Sequence, residues 1–310
     1  MATYEGSLDA PKRNPIDWKN PDFYKEAELF DEMDRVFDIC HTCRRCVNLC
    51  TAFPTLFDLI DEGTTGELDG VEKNKLWEVV DRCYLCDMCF MSKCPYVPPH
   101  EWNVDFPHLM LRGKAIKYKK GETNFRDKML SSTDIMGKIA SIPVVVQVVN
   151  ASIKAPTARK LIEGALDIHA KRELPEYNAK KFRTNAKVDE SFAVKNGEKT
   201  SGKVGIYSTC YVNYNEPGIG HDLIEILKYN EIPTRLVEKE VCCGMPKLEL
   251  GDLEALEKLK NINIPNPSEL TPTELTISFS TKVNSNNDYN HFVNKWDGPN
   301  HQYLVSNIRT

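Results

Sequence analysis

Two closely spaced cysteine runs limit what this chain can be more than any other feature. The first is Cys40-x2-Cys43-x2-Cys46-x3-Cys50, and the second is Cys83-x2-Cys86-x2-Cys89-x4-Cys94, followed by Pro95. Three cysteines at successive three-residue steps let one turn offer three thiolates to one four-iron cubane, while a distant fourth cysteine completes the ligands. Zinc usually takes its cysteines as separated pairs, and disulfides between such close neighbours would be strained. The runs therefore predict two [4Fe–4S] clusters.

The spacing also predicts how the eight cysteines divide between the clusters. In two-cluster ferredoxins the fourth cysteine of each run ligates the other cluster. Applied by position, this rule gives two ligand sets: Cys40, Cys43, Cys46 and Cys94 for cluster 1, and Cys83, Cys86, Cys89 and Cys50 for cluster 2. Pro95 directly after the second run matches the ferredoxin pattern, whereas the first run reaches a proline only at Pro54.

Composition excludes several other classes of protein. A length of 310 residues with 41% hydrophobic and 27% charged residues predicts about two globular domains. The net charge of −5 leaves no basic footprint for nucleic acid. Eleven cysteines, eight of them in the two runs, indicate a reducing compartment. The first residues carry neither a basic segment nor an apolar one, so we expect no signal peptide and a cytoplasmic location.

The longest apolar stretch covers residues 142–149 and is interrupted at Gln147. It is far shorter than the ~20 residues that cross a bilayer, so no transmembrane segment is expected. A buried core element is the favoured interpretation. The alternative is an apolar face, formed with Ile135, Met136 and Ile139, that docks on a membrane-bound partner or on the cytoplasmic face of the membrane.

The chain divides into four segments, which together predict an α+β multidomain protein. Residues 1–150 form an α-helical ferredoxin-like domain with both clusters, and residues 151–203 a helix and a solvated linker. In the partial α/β cysteine-rich domain at 204–265, strands at 204–210 and 234–241 flank a helix at 220–229. A right-handed crossover would make these strands parallel neighbours.

A third group of cysteines follows from that topology. Cys210 and Cys242 fall at the carboxyl ends of the two strands, where α/β sheets usually carry ligands, and Cys243 and Gly244 come next. Adjacent thiols do not readily bond each other, but they can reach one metal assembly from both sides. Three buried cysteines acting as small hydrophobic residues are the alternative.

A helical two-cluster segment followed by Cys…Cys-Cys-Gly resembles the iron–sulfur oxidoreductases with a CCG domain. This family includes the C-type subunit of anaerobic glycerol-3-phosphate dehydrogenase, the glycolate oxidase iron–sulfur subunit and the fused heterodisulfide reductase subunit. The resemblance covers roughly residues 20–265 and includes Tyr211-Val212-Asn213-Tyr214 and Cys242-Cys243-Gly244-Met245-Pro246. It implies electron transfer: a flavin-dependent dehydrogenase partner delivers electrons, the cubanes relay them, and quinone or a disulfide accepts them. In disulfide-reducing members the cysteine-rich domain binds a third, non-cubane cluster.

The sequence departs from this family after Cys243, because no further cysteine follows. The family's Cys-x2-Cys pair is therefore missing, and the third site is incomplete. Residues 266–310 are rich in Asn, Ser and Thr, which predicts disorder or poor packing. We interpret this atypical tail as a truncated or frame-shifted gene end. A genuine short relative with a divergent tail is the alternative.

Three functions stay open at this stage. The favoured one is an electron-transfer subunit of an oxidoreductase, with no catalytic residue assigned. The second is a heterodisulfide or thiol–disulfide reductase that uses a cluster at Cys210, Cys242 and Cys243. The third is a cluster-bearing interaction or sensor protein. The missing Cys-x2-Cys pair favours the first over the second.

Overall fold

The computed structural model describes residues 13–188 and 204–263 and four short strands beyond them. The described residues fall into two compact units. Unit 1 contains the chain up to Asp127 together with Met245–Leu256, and unit 2 contains Lys128–Gly244 and the residues from Glu257 onward. Most of the predicted disordered tail and residues 189–203 of the predicted linker lie outside the described residues.

Unit 1 is helical. Its helices are α1 (Glu26–Cys43), α2 (Ala52–Asp61), α3 (Leu76–Arg82), α4 (Phe106–Lys119), the start of α5 (Phe125–Leu130), α12 (Met245–Leu250) and the start of α13 (Leu253–Asn263). Short 3-10 turns occupy Pro21–Tyr24, Leu68–Gly70 and Lys73–Lys75, and a π-helical turn occupies Cys89–Lys93.

One apolar core holds these helices together. In α1 the buried residues Leu29, Met33, Val36 and Phe37 recur at three- and four-residue steps, so they form one stripe. The rings of Phe37, Phe53 and Phe106 meet in the same core, with centroids 5.8 and 4.6 Å from Phe106. Cys83 and Cys89 are buried within it. The core therefore reaches directly to the cysteine runs.

Unit 2 is also mostly helical. It contains α6 (Thr133–Ala140), α7 (Pro143–Lys154), α8 (Pro156–Leu166), α9 (Phe182–Asn185), β1 (Val204–Ile206), α10 (Thr209–Tyr214), α11 (Pro217–Tyr229) and β2 (Thr234–Leu236). Four further strands pair as antiparallel ribbons: β3 (Thr276–Ile277) with β5 (Asn294–Lys295), and β4 (Asn290–Phe292) with β6 (Ser306–Ile308).

The predicted parallel pairing is confirmed. Strands β1 and β2 lie side by side with Val204 opposite Thr234 and Ile206 opposite Leu236, and α11 falls between them in the chain. A small core of Phe182, Ile206, Val212 and Ile224 covers this sheet. The chain is therefore mostly helical with a small parallel sheet.

Both strands are shorter than the sequence predicted, and Cys210 lies in α10 rather than in a strand. The reason is a side chain. Ser208 donates its backbone N–H and its hydroxyl to the carboxylate of Glu240, at 2.9 and 2.8 Å, instead of continuing the strand ladder. Thr209 then takes a left-handed conformation, with φ of 61°, and turns the chain into the helix.

The apolar stretch at residues 142–149 forms much of α7, and only one of its faces is covered. Val146 is buried, whereas Val144 and Val148 are 74% and 63% exposed. Within the described residues, no single helix has both the length and the apolar character needed to cross a bilayer. Helices α6 and α7 satisfy both criteria only when taken together, across a bend of 106°.

Candidate metal centres

The first cysteine run lies where α1 ends. Cys40 and Cys43 belong to the last turn of the helix, which stops because Arg44 adopts a left-handed conformation with φ of 48°. The Arg44 N–H still donates to the Cys40 carbonyl at 2.8 Å, so the turn stays closed. Cys46 follows in this turn, and Cys50 lies just before α2. Thiols three residues apart are thus presented around one compact bend.

The second run follows α3 directly and is shaped by two left-handed residues. Cys83 caps the helix, and Leu85 and Asp87, with φ of 50° and 60°, alternate with the cysteines that follow. The Leu85 N–H points back to the Cys83 sulfur at 3.5 Å. The Cys94 N–H bonds the Cys89 carbonyl at 2.9 Å and closes the π-helical turn.

The fold brings Cys94 to the first three cysteines of the first run. Together they line an open cavity of about 320 Å³. The rest of its lining is mostly apolar and consists of Ile39, Phe53, Phe57, Pro95, Tyr96 and Val104, together with Arg45. This is the set predicted for cluster 1. The assignment of these thiols as ligands stays a prediction.

The remaining four cysteines also approach one another. Cys50 lies close enough to Cys83 and Cys89 to interact electrostatically with both, and Cys86 interacts with Cys89 in the same way. These are the four thiols predicted for cluster 2. Cys46 also interacts with Cys89, so the two sets are neighbours. Among the eight, Cys86 alone is exposed.

Burial dominates the chemistry of these thiols. It raises the pKa of Cys83 to about 11 and the pKa values of Cys40, Cys89 and Cys94 above the usual thiol range, and neighbouring cysteines add to each shift. Without metal, these groups are therefore neutral near pH 7 and tolerate their apolar surroundings. Metal binding must displace their protons, because only thiolates ligate.

The donor set fits an iron–sulfur cluster. The described residues that line the cluster 1 cavity offer sulfur ligands and mostly apolar walls, with no carboxylate and no imidazole. Within the described parts of the chain, no three His, Cys, Asp or Glu side chains are close enough to hold a single metal ion. The ligands of a four-iron cubane surround a larger object, so their wider spacing is compatible with that cofactor.

The third group of cysteines converges in unit 2. Cys210, at the start of α10, and Cys243 both hydrogen-bond to the sulfur of Cys242. That sulfur also accepts the hydroxyl of Thr133 at 3.2 Å and the N–H of Gly244 at 3.5 Å. Gly244 has a φ of 92°, which a residue with a Cβ would rarely adopt, and this lets the backbone turn toward the sulfur.

These hydrogen bonds distinguish Cys242 from the other two thiols. Donation first from Cys210 and then from Cys243 lowers the pKa of Cys242, whereas sharing a proton with Cys242 raises the pKa of Cys210. Cys242 therefore accepts the thiol hydrogen bonds of the group. The sequence placed these three cysteines together, but it did not indicate that one of them would be the common acceptor.

Sequence reasoning missed the residues that hold this site. The Cys242 N–H donates to the carboxylate of Asp134 in α6 at 2.6 Å. The side-chain amide of Asn263 donates to the Cys242 carbonyl at 3.1 Å and accepts the Val241 N–H at 3.0 Å. Thr133, Asp134 and Asn263 lie 21 to 109 residues along the chain from Cys242, so no local pattern could reveal them.

A polar cavity of about 300 Å³ adjoins the third group. Its lining includes Asp134, Lys138, Arg183, Cys210, Tyr214 and Glu240. Glu240 is ion-paired with Arg183 at 2.6 Å and its side chain is only 4% exposed. The cavity beside the third group therefore differs from the mostly apolar cluster 1 cavity, because its lining contains both acidic and basic side chains.

Comparison with known proteins agrees with this arrangement. Residues 204–275 match the cysteine-rich CCG domain family. The C-type subunit of anaerobic glycerol-3-phosphate dehydrogenase from Escherichia coli K12 is 31% identical over 167 residues, covering 54% of this chain and 40% of that protein. The B-type subunit of fumarate reductase (CoM/CoB) from Methanothermobacter marburgensis is 26% identical over 128 residues, covering 41% and 26%.

A third relative, the citrate utilization protein B of Escherichia coli, is 27% identical over 88 residues, covering 28% of this chain and 21% of the relative. The chain thus spans less than half the length of the curated relatives it matches. No solved structure matches it. The family match and the two relatives that are named as subunits of a dehydrogenase and of a reductase agree with the cysteine pattern. Over residues 204–275 the chain therefore carries a CCG cysteine-rich domain, and over about half of its length it is similar to a subunit of a dehydrogenase.

Proposed function

We propose that this chain is the iron–sulfur electron-transfer subunit of an oxidoreductase and carries two [4Fe–4S] clusters. One observation supports this most directly: Cys94 lies with Cys40, Cys43 and Cys46 around one cavity, as the crossed pairing of a two-cluster ferredoxin requires. The helical part of unit 1 is then the ferredoxin-like domain, and the segment from residue 204 belongs to the cysteine-rich domain.

The protein's own contribution is to hold the ligands and set their surroundings. When bound, such clusters accept and release single electrons. The side chains of Phe53, Phe57 and Val104 keep water from one wall of the cluster 1 cavity. At the second run, the Leu85 N–H donates toward the Cys83 sulfur, a contact that stabilises negative charge on sulfur.

Two relatives are named as subunits of a dehydrogenase and of a reductase, which supports a partner subunit for this chain. We propose a flavin-dependent dehydrogenase as the donor and quinone or another membrane-associated acceptor as the recipient. A cytoplasmic protein lying on the membrane surface would suit such an acceptor. The exposed stripe of Ile135 and Ile139 on α6 and of Val144 and Val148 on α7 supports this position, because each pair is spaced by one helical turn.

Anaerobic purification with iron and sulfide analysis tests the proposal. We expect about eight irons per chain and, after reduction, the EPR signals of two interacting cubanes. Cys86→Ser should remove one cluster. The matched variant Cys210→Ser, which alters the third group in unit 2, should leave both cubane signals intact. Four irons, bound zinc, or equal losses from the two variants would overturn the assignment.

A second candidate function is the reduction of a thiol–disulfide substrate, and a specific observation favours it. Cys210, Cys242 and Cys243 converge beside a polar cavity, where a disulfide could take up two electrons and two protons and leave as two thiols. Disulfide-dependent oxidation of reduced viologen that disappears in Cys242→Ser would support this candidate. Electron transfer without any disulfide effect supports the first.

A further inference from the structure

Arg13 joins two carboxylates next to the second cysteine run. Its guanidinium donates to Asp105 through Nε and Nη2, both at 2.8 Å, and to Asp87 through Nη1 and Nη2 at 2.8 and 3.0 Å. The same guanidinium lies 4.4 Å from the ring centroid of Phe90, which is buried. The planar guanidinium thus makes a bidentate contact with each carboxylate. Such contacts hold both carboxylates in a defined orientation and also compensate part of their negative charge.

Both partners are held in place from other directions. Asp105 caps α4 by accepting the His108 N–H at 3.1 Å, and it also pairs with the His108 ring at 2.9 Å. Burial alone would raise the pKa of Asp105, but hydrogen bonds from Arg13 and His108 outweigh it and lower the pKa below the usual range. Asp105 is therefore an anchored anion, and Arg13 links it to the cysteine loop.

Asp87 is the residue directly after Cys86, and it has left-handed backbone geometry, with φ of 60°. Non-glycine residues seldom adopt this region, although aspartate does so more readily than most, and they stay in it where their surroundings hold them. The contact with Arg13 supplies that restraint. It also offsets the only charged side chain between Cys83 and Cys89.

We propose that Arg13 is a positioning residue for cluster 2, which fixes the loop of Cys83, Cys86 and Cys89 through Asp87 and offsets the Asp87 charge beside the cluster. The inference rests on the proposed function. Cluster potentials depend on nearby net charge, and an uncompensated carboxylate makes an anionic centre harder to reduce. Arg13 therefore keeps the potential of cluster 2 higher than the loop alone would set it.

An exposed pair beside the first run offers a matched control. Arg44 follows Cys43 and donates to Asp61 through Nη1 at 2.7 Å. Its side chain is 39% exposed and that of Asp61 is 50% exposed, compared with 25% for Arg13, 39% for Asp87 and 18% for Asp105. Water screens the exposed pair, so its charge should influence a cluster less than the charge of the Arg13 group does.

The test is a double-mutant cycle of Arg13→Gln and Asp87→Asn, read by EPR-monitored redox titration with iron counted in each variant. Arg13→Gln should make reduction of one cluster about tenfold less favourable, which is a shift of about −59 mV for one electron. Asp87→Asn should shift it in the opposite direction. Asparagine tolerates left-handed geometry, so the loop shape is kept. The double variant restores the local charge and should titrate near the native potential.

Arg13→Lys keeps the positive charge but loses the bidentate contacts of the guanidinium. It should therefore keep the native reduction potential while retaining less iron at cluster 2. Asp61→Asn, which removes the charge of the exposed pair and leaves Arg44 in place, should leave this titration step unchanged. The inference fails if the two single changes shift the potential in the same direction or not at all, or if the double variant stays at the Arg13→Gln value. If the Arg13→Gln variant does not retain cluster 2, the Asp87→Asn variant is the test. A more positive reduction potential in that variant supports the inference, and an unchanged potential overturns it. A native protein with fewer than two cubanes would instead refute the proposed function.

Discussion

At the scale of single residues, one buried carboxylate organises the surroundings of the third cysteine group. Glu240 accepts the Ser208 N–H and hydroxyl and pairs with Arg183 at 2.6 Å. Arg183 also donates to the Val237 carbonyl at 2.6 Å. These contacts connect the ends of β1 and β2 with α9. Because the Glu240 side chain is 4% exposed, its charge depends on these partners rather than on water.

We expect Arg183→Gln to destabilise unit 2, since it leaves the Glu240 carboxylate buried with one fewer compensating group. Breaking a fully buried pair costs about 3–5 kcal/mol, and the partial exposure of Arg183 reduces this to roughly 2–3 kcal/mol. Lys154→Gln is the control, because Lys154 and Glu176 are 63% and 52% exposed and such pairs contribute under about 1 kcal/mol. Urea unfolding curves of the two variants compare these costs, and equal midpoints would contradict the prediction.

At the scale of elements, the segment after the double cysteine packs in unit 1. Helix α12 lies against α4 through an ion pair of Lys114 with Glu249 at 2.8 Å, and the Tyr118 hydroxyl donates to Asp252 at 2.8 Å. Leu253 is buried in the unit 1 core. The turn between α12 and α13 depends on Gly251, which has a φ of 82° and would place a Cβ 2.4 Å from the Lys114 carbonyl oxygen.

Gly251→Ala should therefore destabilise unit 1 by more than its backbone conformation alone explains. Gly121 provides a matched control, since it has a φ of 77° but a Cβ added there would meet nothing within 4 Å. Gly121→Ala should cost about 1–2 kcal/mol for left-handed geometry. Gly251→Ala should cost clearly more, because the Lys114 backbone must move. Trp18, Trp77 and Trp102 lie in unit 1, so tryptophan fluorescence during urea unfolding reports both costs. Equal losses would show that the close approach carries no energy.

Sequence reasoning succeeded where a feature depends on local spacing. The parallel pairing of β1 with β2 follows from the strand–helix–strand pattern of the sequence. Helix α1 runs into the first cysteine run as its spacing predicts, while ligation by those cysteines stays a prediction. It failed where a distant partner decides. Glu240 removes Ser208 from the strand, so Cys210 begins a helix, and nothing near Cys242 in the sequence reveals Thr133 or Asn263. A spacing rule cannot include contacts that only the folded chain creates.

At the scale of the whole molecule, the two units differ in how they are stabilised. The core of unit 1 contains Cys83 and Cys89, so any cluster they hold is part of that core. The apolar cluster of unit 2 consists of Phe182, Ile206, Val212 and Ile224, and the buried Cys242 lies outside this cluster. Cluster binding should therefore stabilise unit 1 far more than unit 2.

Anaerobic removal of iron with a chelator tests this difference by hydrogen exchange. We expect the amides of α1, α3 and α4 to lose protection, because ligand binding free energy is also folding free energy. The amides of β1 and α11 should exchange at their previous rates. Loss of protection in both units alike would contradict separate cores. Retention of protection in unit 1 would show that its helices need no metal.

The exposure of Cys86 has a consequence for handling the protein. Seven of the predicted cubane ligands are buried or half-buried, whereas Cys86 is exposed, beside Tyr84 and Met88 that are 63% and 50% exposed. Oxygen and peroxide reach a thiolate or its iron most readily where solvent does. Damage in air should therefore begin at cluster 2 and spare cluster 1 at first. A preparation exposed briefly to air would then retain about half of its iron, because cluster 1 would still be intact.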